Sequence, residues 1–576
     1  MTSAAAPSQS LRVVRELRRR FGHVRLRPGQ QAVIDRVLHG ANTLAVMPTG
    51  AGKSLCYQLP ACLLPGLTIV VSPLIALITD QQAKLERLGV TAVQLHSGRS
   101  AEALKVDAQA LAAGRAKIAF VTPERLGEPG FIDLLGGQPV SLLVVDEAHC
   151  ISRWGEDFRP AYSEIGAALE AIGAAPVLAL TATATDDVAT DIAEQLNIPP
   201  DGLLLAGSYR PNLQLAVEVF ADEAAKQARA VAALASADGP AIAYAATIKS
   251  AESLHQALQQ AGLRPLLYHG RLPASERREA QRQFFEAREP AVMVATNAFG
   301  LGIDKPNIRL VLHVQMPPGL DSYYQEAGRA GRDGAPALCL LLFRSADRAV
   351  QQFFINGRYP SAADGREMWR LFTEAQAPPN GWTLEELKSR LQRPLGKLRV
   401  LVNWLRRNGW VEVDAEGTIS LREPHDADEL DRLLQRFMDR SQRDQERLEC
   451  MAFYGQTGGC RWRVLLQGLG ETARFDRCGH CDNCRRIALQ QRRLVEAAEE
   501  DDTQARSPEP ARFAAGQLVR IRRYGQGTVI EASAESVTIE FADGQQRCFD
   551  PAFVRPIRPL QQRADRKSTA AALRPT

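Results

Sequence analysis

Short apolar runs alternate with longer amphipathic segments from residue 43 to about residue 343. The runs before residue 207 are TLAVM, LTIVVS, KIAFV, SLLVVD and VLALT, and those after it are AIAYAA, AVMVAT, RLVLHV and ALCLLLF. Nearly continuous apolar strands separated by helical segments are typical of parallel sheets that are covered on both faces. The stretch is too long for one such sheet, so we predict two α/β lobes that divide near residue 207.

The pattern of apolar positions changes after residue 360. TLEELKSRL and LGKLRVLVNWLRRNGW predict two amphipathic helices around a short turn, and WVEVDAEGTISL predicts a hairpin. A helix–turn–helix followed by a hairpin is typical of a winged helix, whose basic face is either solvated or in contact with DNA. Residues 513–557 alternate strand-like runs with turns and predict a small β-barrel.

Composition narrows the class of protein. The chain has 576 residues, of which 45% are hydrophobic and 24% charged, as in ordinary globular proteins of several domains. No apolar run reaches the length of a membrane span, and the N-terminus lacks the apolar segment of a secretion signal. We therefore expect a cytoplasmic protein without a membrane partner. The net charge of +4 does not by itself indicate nucleic acid.

A candidate phosphate-binding loop lies in VMPTGAGKSL, between a predicted strand and a predicted helix. Backbone N–H groups and the helix N-terminus would hold phosphates there. Lys53 would reach the β- and γ-phosphates, and the Ser54 hydroxyl would ligate Mg²⁺. Met47 replaces the first glycine of the usual pattern, but the glycines that must approach phosphate closely are Gly50 and Gly52.

A second signal for nucleotide chemistry is LLVVDEAH, an apolar strand that ends in two carboxylates. Asp146 at the end of the strand suits Mg²⁺ binding, and Glu147 is placed to orient or deprotonate an attacking water. A buried strand that ends in Asp-Glu can also be a helix cap. The phosphate loop earlier in the chain favours the magnesium interpretation.

Four cysteines predict a metal site near the end of the chain: Cys460, Cys478, Cys481 and Cys484. In a large cytoplasmic chain, such a cluster indicates metal before disulfide. Four thiolates suit a closed, tetrahedral zinc site, and an iron–sulfur cluster is the alternative. Cys450 and His480 are competing ligands, although Cys450 falls within a predicted helix and His480 lies between two ligands.

Taken together, these motifs resemble the RecQ family of superfamily-two DNA helicases, over most of residues 20–355 and again over 445–486. FGHVRLRPGQQAVI resembles the family motif that reads adenine, with Arg27 and Gln30 as base contacts. ISRWGEDFRPAY resembles its aromatic-rich loop that senses single-stranded DNA. The cysteine spacing resembles its zinc-binding subdomain, which favours zinc over an iron–sulfur cluster.

The second lobe carries SYYQEAGRAGRDG, in which Gln325, Arg329 and Arg332 resemble the family's sixth motif. Arg332 is the expected arginine finger, and Arg329 supports it. The resemblance implies these nucleotide contacts: Arg27, Gln30, Thr49, Gly50, Ala51, Gly52, Lys53, Ser54 and Asp304. It also implies these residues for DNA binding or coupling: His149, Ser152, Trp154, Phe158, Arg159, Tyr162, Thr181, Thr183 and Thr296.

The expected fold class is α/β, with two RecA-like parallel-sheet lobes, a winged-helix-like insertion, a zinc-binding helical module and a small C-terminal β-barrel. The expected boundaries are 1–207 for lobe 1, 208–344 for lobe 2, 345–358 and 428–486 for the zinc module, 359–427 for the insertion, 487–511 for a linker, 512–558 for the barrel and 559–576 for a basic disordered tail. The barrel resembles the Tudor- or SH3-like barrel of UvrD-type helicases, and no helical C-terminal domain of the RecQ kind is expected.

The resemblance implies an ATP-dependent DNA helicase, 3′-to-5′, with ATP, Mg²⁺ and Zn²⁺ as cofactors, which acts on single-stranded and forked or branched DNA in repair or recombination. A nucleoid-associated location in bacteria follows from this. The barrel would bind a protein partner, RNA polymerase or a repair protein, or nucleic acid. Three alternatives remain at this stage: an ATP-switched DNA-binding adaptor, a duplex translocase and an RNA helicase.

Overall fold

The structure is a computed structural model. It describes residues 9–128, 130–135, 137–152, 165, 169, 172–173, 175–182, 184–287, 290–300, 303, 305–373, 378, 381–414, 416–422, 427–500, 512–522 and 524–557. Six residues with expected roles lie outside this part of the chain: Trp154, Phe158, Arg159, Tyr162, Thr183 and Asp304. The expected basic tail lies outside it as well. Two compact units are present, one of Met1–Leu213, Glu218–Met451 and Leu466–Thr472, the other of Gln214–Val217, Ala452–Leu465 and Ala473–Thr576.

The first lobe is built on a seven-stranded sheet with the order β3-β4-β2-β5-β6-β1-β7, and its strands pair in parallel. The strands are β1 Thr43–Val46, β2 Leu67–Val71, β3 Ala92–Leu95, β4 Ile118–Val121, β5 Val140–Val145, β6 Val177–Thr181 and β7 Leu203–Leu205. The helices are α1 Gln9–Phe21, α2 Gln30–Leu38, α3 Leu55–Leu63, α4 Ile75–Arg87, α5 Ala101–Ala112, α6 Pro123–Leu126, α7 Phe131–Leu134 and α8 Asp186–Gln195.

The second lobe is built on a six-stranded sheet with the order β10-β11-β9-β12-β13-β8. Its strands are β8 Leu213–Val219, β9 Ala241–Tyr244, β10 Leu266–Tyr268, β11 Val292–Ala295, β12 Leu310–His313 and β13 Ala337–Phe343. Its helices are α9 Glu223–Ala235, α10 Ile248–Gln260, α11 Ala274–Glu286 and α12 Leu320–Ala327. Short 3₁₀ helices lie at Ala148–Cys150, Pro200–Gly202, Ser345–Asp347 and Pro551–Phe553.

The two-lobe prediction is confirmed. All nine apolar runs form strands, and the first sheet ends at Leu205 before the second begins at Leu213. Apolar residues from successive positions of β1 pack into cores on opposite faces of the first sheet, Leu44 into one and Ala45 into the other. Burial on both faces is why these strands have no polar side.

A helical region follows the second lobe. It comprises α13 Arg348–Arg358, α14 Ala362–Thr373, α15 Leu384–Leu391, α16 Leu395–Arg407, the strands β14 Val411–Val413 and β15 Ile419–Leu421, and the long helix α17 Ala427–Gln456. Thr383 and Glu386 form a reciprocal capping box at the start of α15. Trp369 and Trp410 pack in its core with ring centroids 4.8 Å apart, so the helices and the hairpin share one core.

The second unit holds the rest of the chain that the structure describes. Its elements are the β8 residues Gln214–Val217, the end of α17, the part of α18 Arg461–Gly468 up to Leu465, α19 Asp482–Glu500, and a five-stranded antiparallel sheet. The strands of this sheet are β16 Leu518–Ile521, β17 Gly525–Ala532, β18 Val537–Phe541, β19 Gln546–Phe549 and β20 Arg555–Pro556. The strand order in this sheet is β19-β18-β17-β16-β20. Among the described residues, no helix is both long and apolar enough to cross a membrane.

Candidate active site and metal centre

The expected phosphate loop joins β1 to α3. Gly50 and Gly52 have left-handed backbone, with φ of +84° and +79°. A side chain at Gly52 would place its Cβ 2.6 Å from Nε2 of Gln30, so the loop has no room for one. The Ala51 N–H donates to the Pro48 carbonyl at 3.0 Å, which closes the turn that brings Lys53 to the start of the helix.

Three charged groups meet beside this loop. Burial lowers the pKa of Lys53, and the nearby carboxylates of Glu147 and Asp146 oppose this shift. Burial and the charge of Glu147 raise the pKa of Asp146 to about 7, against the effect of Lys53. The Lys53 ammonium donates to the Met47 carbonyl at 3.4 Å. A cation beside two carboxylates matches a site for a phosphate and a divalent ion.

The oxygen donors suit Mg²⁺, which prefers carboxylate, hydroxyl and water oxygens. Asp146 is buried at the end of β5, where its N–H donates to the Val71 carbonyl at 2.9 Å. Ser54 stands at the N-terminus of α3. These two residues are the ones predicted to hold the ion, and their chemistry fits it.

Arg27 and Gln30 contact the phosphate loop directly. The Arg27 guanidinium donates to the Gly50 carbonyl. The Gln30 amide donates to the Ala51 carbonyl at 2.9 Å and to the Gly52 carbonyl at 3.0 Å. Their expected role in reading adenine stays a prediction, but these bonds give both side chains a second task, because they fix the shape of the loop.

The DEAH segment is tied to the neighbouring strand. Glu147 has φ of +50°, and this turn directs the chain into a 3₁₀ helix. His149 shares a 3.0 Å hydrogen bond with the Thr181 hydroxyl and lies 3.5 Å from the Glu147 carboxylate. Ser152 is fully buried and donates to the Asp191 carboxylate at 2.7 Å, so any effect of Ser152 on DNA would be indirect.

The second lobe brings the GRAGR segment to the same loop. Arg332 lies so close to Gly50 that a Cβ added to that glycine would be 3.1 Å from the arginine Cγ. Arg329 is buried, and Gln325 and His149 line one cavity of about 560 Å³ with it. The phosphate loop and the three predicted residues of the sixth motif therefore lie around one seam between the lobes.

Arg210 is a site residue that the sequence analysis missed. It lies between the last strand of the first lobe and the first strand of the second. Its guanidinium donates to the Thr49 carbonyl at 3.3 Å, and to three carbonyls of the GRAGR segment at 2.6–2.9 Å: Gly328, Ala330 and Gly331. Asn212 adds bonds to the carbonyls of Gly331 and Ala335 at 2.8 and 2.9 Å. The sequence feature that could have indicated this role is the charge of Arg210 within SYRPN, residues 208–212, the short linker between the lobes.

The linker itself is held by two polar side chains. The Glu471 carboxylate accepts from the Ser208 N–H at 2.9 Å and from its hydroxyl at 2.5 Å. The Tyr324 hydroxyl donates to the Ser208 carbonyl at 2.7 Å. Arg210 thus projects from a backbone that is fixed on both sides.

The four predicted metal ligands come together. The sulfur atoms of Cys460, Cys478, Cys481 and Cys484 all lie within 4.8 Å of one another. Tetrahedral zinc with sulfur ligands at about 2.3 Å needs such a separation. The competing ligands are not in the cluster: Cys450 is exposed, and the His480 ring is bonded to the Cys478 carbonyl at 2.8 Å. All ten cysteines are free of disulfides.

Backbone N–H groups point at the cluster's sulfur atoms. The N–H groups of Cys478, Cys481 and Cys484 donate to cysteine sulfurs at 3.3–3.4 Å, as does that of Arg461. Such bonds stabilise thiolates and fix ligand orientation. The Arg461 side chain, in turn, is paired with Asp482 at 3.0 Å, so the turn and the helix that carry the ligands are joined.

Comparisons with known proteins agree with this geometry. The DEAD/DEAH box helicase family matches residues 27–192, the helicase conserved C-terminal domain matches 225–334, and the RecQ zinc-binding family matches 424–485. The ATP-dependent DNA helicase RecQ of Synechocystis sp. is 36% identical over 485 residues, which are 81% of this chain and 97% of that protein. The chain belongs to the RecQ family.

Other RecQ relatives match a smaller share. The ATP-dependent DNA helicase RecQ of Bacillus subtilis is 44% identical over 343 residues, or 58% of this chain and 56% of that protein. This chain thus spans just over half the length of that relative. A solved structure of Mss116p bound to ssRNA and AMP-PNP superposes with a TM-score of 0.50 and 17% identity, over 85% of this chain and 93% of that one. That likeness supports the fold alone.

Proposed function

We propose that this RecQ-family chain is an ATP-dependent DNA helicase that moves 3′-to-5′ and separates forked or branched duplexes. The observation that carries the proposal is the seam between the lobes, where the phosphate loop of one faces the GRAGR segment of the other with Arg210 bonded to both. Family membership supports DNA as the polynucleotide, because the relatives are named as DNA helicases.

Each residue at the seam then has a proposed task. Bound ATP would supply the phosphoryl group whose cleavage by water releases energy. Lys53 would hold the phosphates, and Ser54 and Asp146 would hold Mg²⁺. Glu147 orients the water and takes its proton. Arg332 reaches from the second lobe to stabilise charge on the transferred group.

Coupling to DNA follows from the same contacts. Loss of the γ-phosphate removes the group that both lobes grip, so the lobes open and close with each hydrolysis cycle. We infer that the bond between His149 and Thr181 carries this change from the DEAH segment to the adjacent strand, and that Thr296 contacts DNA in the second lobe. Zinc is structural, since four thiolates leave no open coordination position.

The C-terminal sheet has a proposed partner of its own, a repair protein or RNA polymerase. The support is its resemblance to UvrD-type barrels. A nucleoid-associated location follows from DNA binding.

DNA-stimulated phosphate release tests the enzymatic part of this proposal. We expect wild-type protein to release phosphate faster when single-stranded DNA is added. Lys53→Ala should lower turnover by at least about 100-fold, because Lys53 is the cation that the phosphate loop itself supplies, while DNA affinity stays within about twofold. A folded Lys53→Ala protein that lost DNA binding would contradict the division of labour. No turnover in the wild type would instead favour an ATP-switched adaptor.

A further inference from the structure

Two adjacent phenylalanines are exposed on α13, the helix that follows the last strand of the second lobe. Phe353 is 73% exposed and Phe354 is 43% exposed. Their rings are 6.1 Å apart at an interplanar angle of 62°. Burial of a phenylalanine side chain is favourable, so two neighbouring rings that stay largely in water indicate a surface with a binding role.

The two rings border a shallow cavity of about 790 Å³ on the second lobe. Its opposite wall is the start of α10, where Thr247 caps the helix by accepting from the Ser250 N–H at 3.1 Å. Thr296 and Asn297, which follow β11, form the floor. A helix N-terminus beside hydroxyl and amide groups is suited to phosphate.

The charges around the cavity are positive. Lys249 and Arg271 line it and are exposed, and no carboxylate is among its lining residues. Within the part of the chain that the structure describes, neither cation is in an ion pair. Unpaired cations, phosphate-binding backbone and exposed aromatic rings together are the combination by which proteins hold single-stranded nucleic acid without regard to sequence.

We propose that Phe353 is a stacking platform for a base of single-stranded DNA, whose phosphates lie along Lys249, Arg271 and the start of α10. The inference deepens the proposed function, because it names where the second lobe holds a base rather than only the backbone. Phe354 supports the ring of Phe353 from the side. A base on Phe353 would move with the second lobe and not with the first.

Stacking can be tested without ATP, by the affinity of the full chain for a fluorescent oligodeoxythymidylate of about 15 nucleotides. Phe353→Ala should weaken binding about 10-fold, and Phe353→Trp should bind at least as tightly as the wild type. Val106→Ala is the matched control, since Val106 is an apolar helix residue of the first lobe with 59% exposure. It should bind like the wild type. Because Phe353 is largely in solvent, neither substitution at this position should disturb folding.

The remaining outcomes overturn the proposal. Binding of Phe353→Ala within twofold of the wild type would exclude stacking. Equal losses in the alanine and tryptophan variants would indicate a shape requirement rather than stacking. If Phe353→Ala weakened binding only of an oligoribonucleotide, the ligand stacked on Phe353 would be RNA and not DNA. The binding assay contains no nucleotide, so its result does not depend on ATP hydrolysis. Absence of ATP hydrolysis in the wild type, measured separately, would therefore count against the proposed function and not against stacking.

The salt dependence of binding tests the cations separately. In Lys249→Gln/Arg271→Gln protein, the negative slope of log affinity against log salt concentration should become shallower by about 1.4, the value for two phosphate contacts on a single strand. An unchanged slope would remove these two residues from the DNA path and would overturn the proposed site.

Discussion

Individual residues at the seam divide into those that a motif reveals and those that only the fold reveals. Lys53, Asp146 and Glu147 follow from sequence because their chemistry requires a fixed spacing from a strand end. Arg210 does not follow from the sequence, because its partners are backbone carbonyls. Every residue type has a backbone carbonyl, so such a contact requires no particular side chain and produces no motif. Its guanidinium is half-buried, and burial lowers its pKa.

Substitution of Arg210 tests its bridging role. Arg210→Ala should lower the DNA-stimulated rate of ATP hydrolysis by roughly 10- to 100-fold, which corresponds to the loss of a single hydrogen bond from a charged donor, worth about 1.5–3 kcal/mol. Arg210→Lys should rescue little of this rate, because one ammonium cannot reach four carbonyls.

Arg229→Ala is the matched control for that experiment. Arg229 also makes a two-pronged contact in the second lobe, with Glu218 at 2.7 Å, but it is more exposed and does not touch the seam. Its loss should leave hydrolysis within about twofold. Equal rates for the Arg210→Ala and wild-type proteins would show that the bridge has no part in turnover.

At the scale of elements, the apolar runs predicted the nine interior strands of the two lobe sheets. Four further strands of these sheets were not predicted: β3, β7, β8 and β10. All four are at sheet edges. An edge strand is covered less completely, so it can carry polar or exposed positions, as in the alternating burial of β8. β3 is fully buried, but its glutamine, Gln94, interrupts the apolar run and so removes the signal by which the other buried strands were predicted.

The cysteine cluster makes a prediction at the same scale. Cys481→Ser should lose the single zinc ion per chain and lower the melting temperature by roughly 5 °C or more, because metal binding contributes directly to folding. Cys450→Ser is the matched control, since Cys450 is exposed and outside the cluster. Full zinc content in Cys481→Ser protein, measured by metal analysis, would contradict the assignment.

The C-terminal sheet packs on the end of α17 and on α19 within the second unit, which the sequence pattern did not predict. Phe453 contacts Tyr524 and Phe549 with ring centroids 6.3 and 5.8 Å apart. Arg486 pairs with Asp550 at 3.0 Å. Thr457 pairs as an isolated antiparallel bridge with Phe549. These contacts join residues that are far apart in the sequence, which local periodicity cannot reveal, so only the fold shows them.

Loss of the Phe453 ring should therefore loosen this sheet. Phe453→Ala should destabilise the second unit by about 2–3 kcal/mol, somewhat less than a fully buried phenylalanine, and should speed proteolytic release of the sheet. Leu489→Ala is the control, because Leu489 lies on α19 with 56% exposure. Identical cleavage rates for Phe453→Ala and wild-type protein would show that the packing contributes no stability.

At the scale of the whole molecule, the sequence predicted the two lobes from their alternating apolar and amphipathic segments. It predicted the nucleotide-site residues and the metal ligands from motifs of residue types at short spacings. It did not predict the Arg210 bridge, the docked sheet or the exposed phenylalanines, because each depends on which distant surfaces meet or stay open. Residues 153–162, which hold the aromatic side chains of the loop that the family resemblance assigns to DNA sensing, lie outside the described residues.

Strand displacement on tailed duplexes tests the central claim most directly, that ATP cleavage between two lobes drives separation of DNA strands. With ATP and Mg²⁺, the wild-type chain should displace the strand of a 3′-tailed duplex and should fail on a matched 5′-tailed duplex, and Arg332→Ala should be inactive on both. Displacement by the wild type without ATP, or at full rate by Arg332→Ala, would contradict the account.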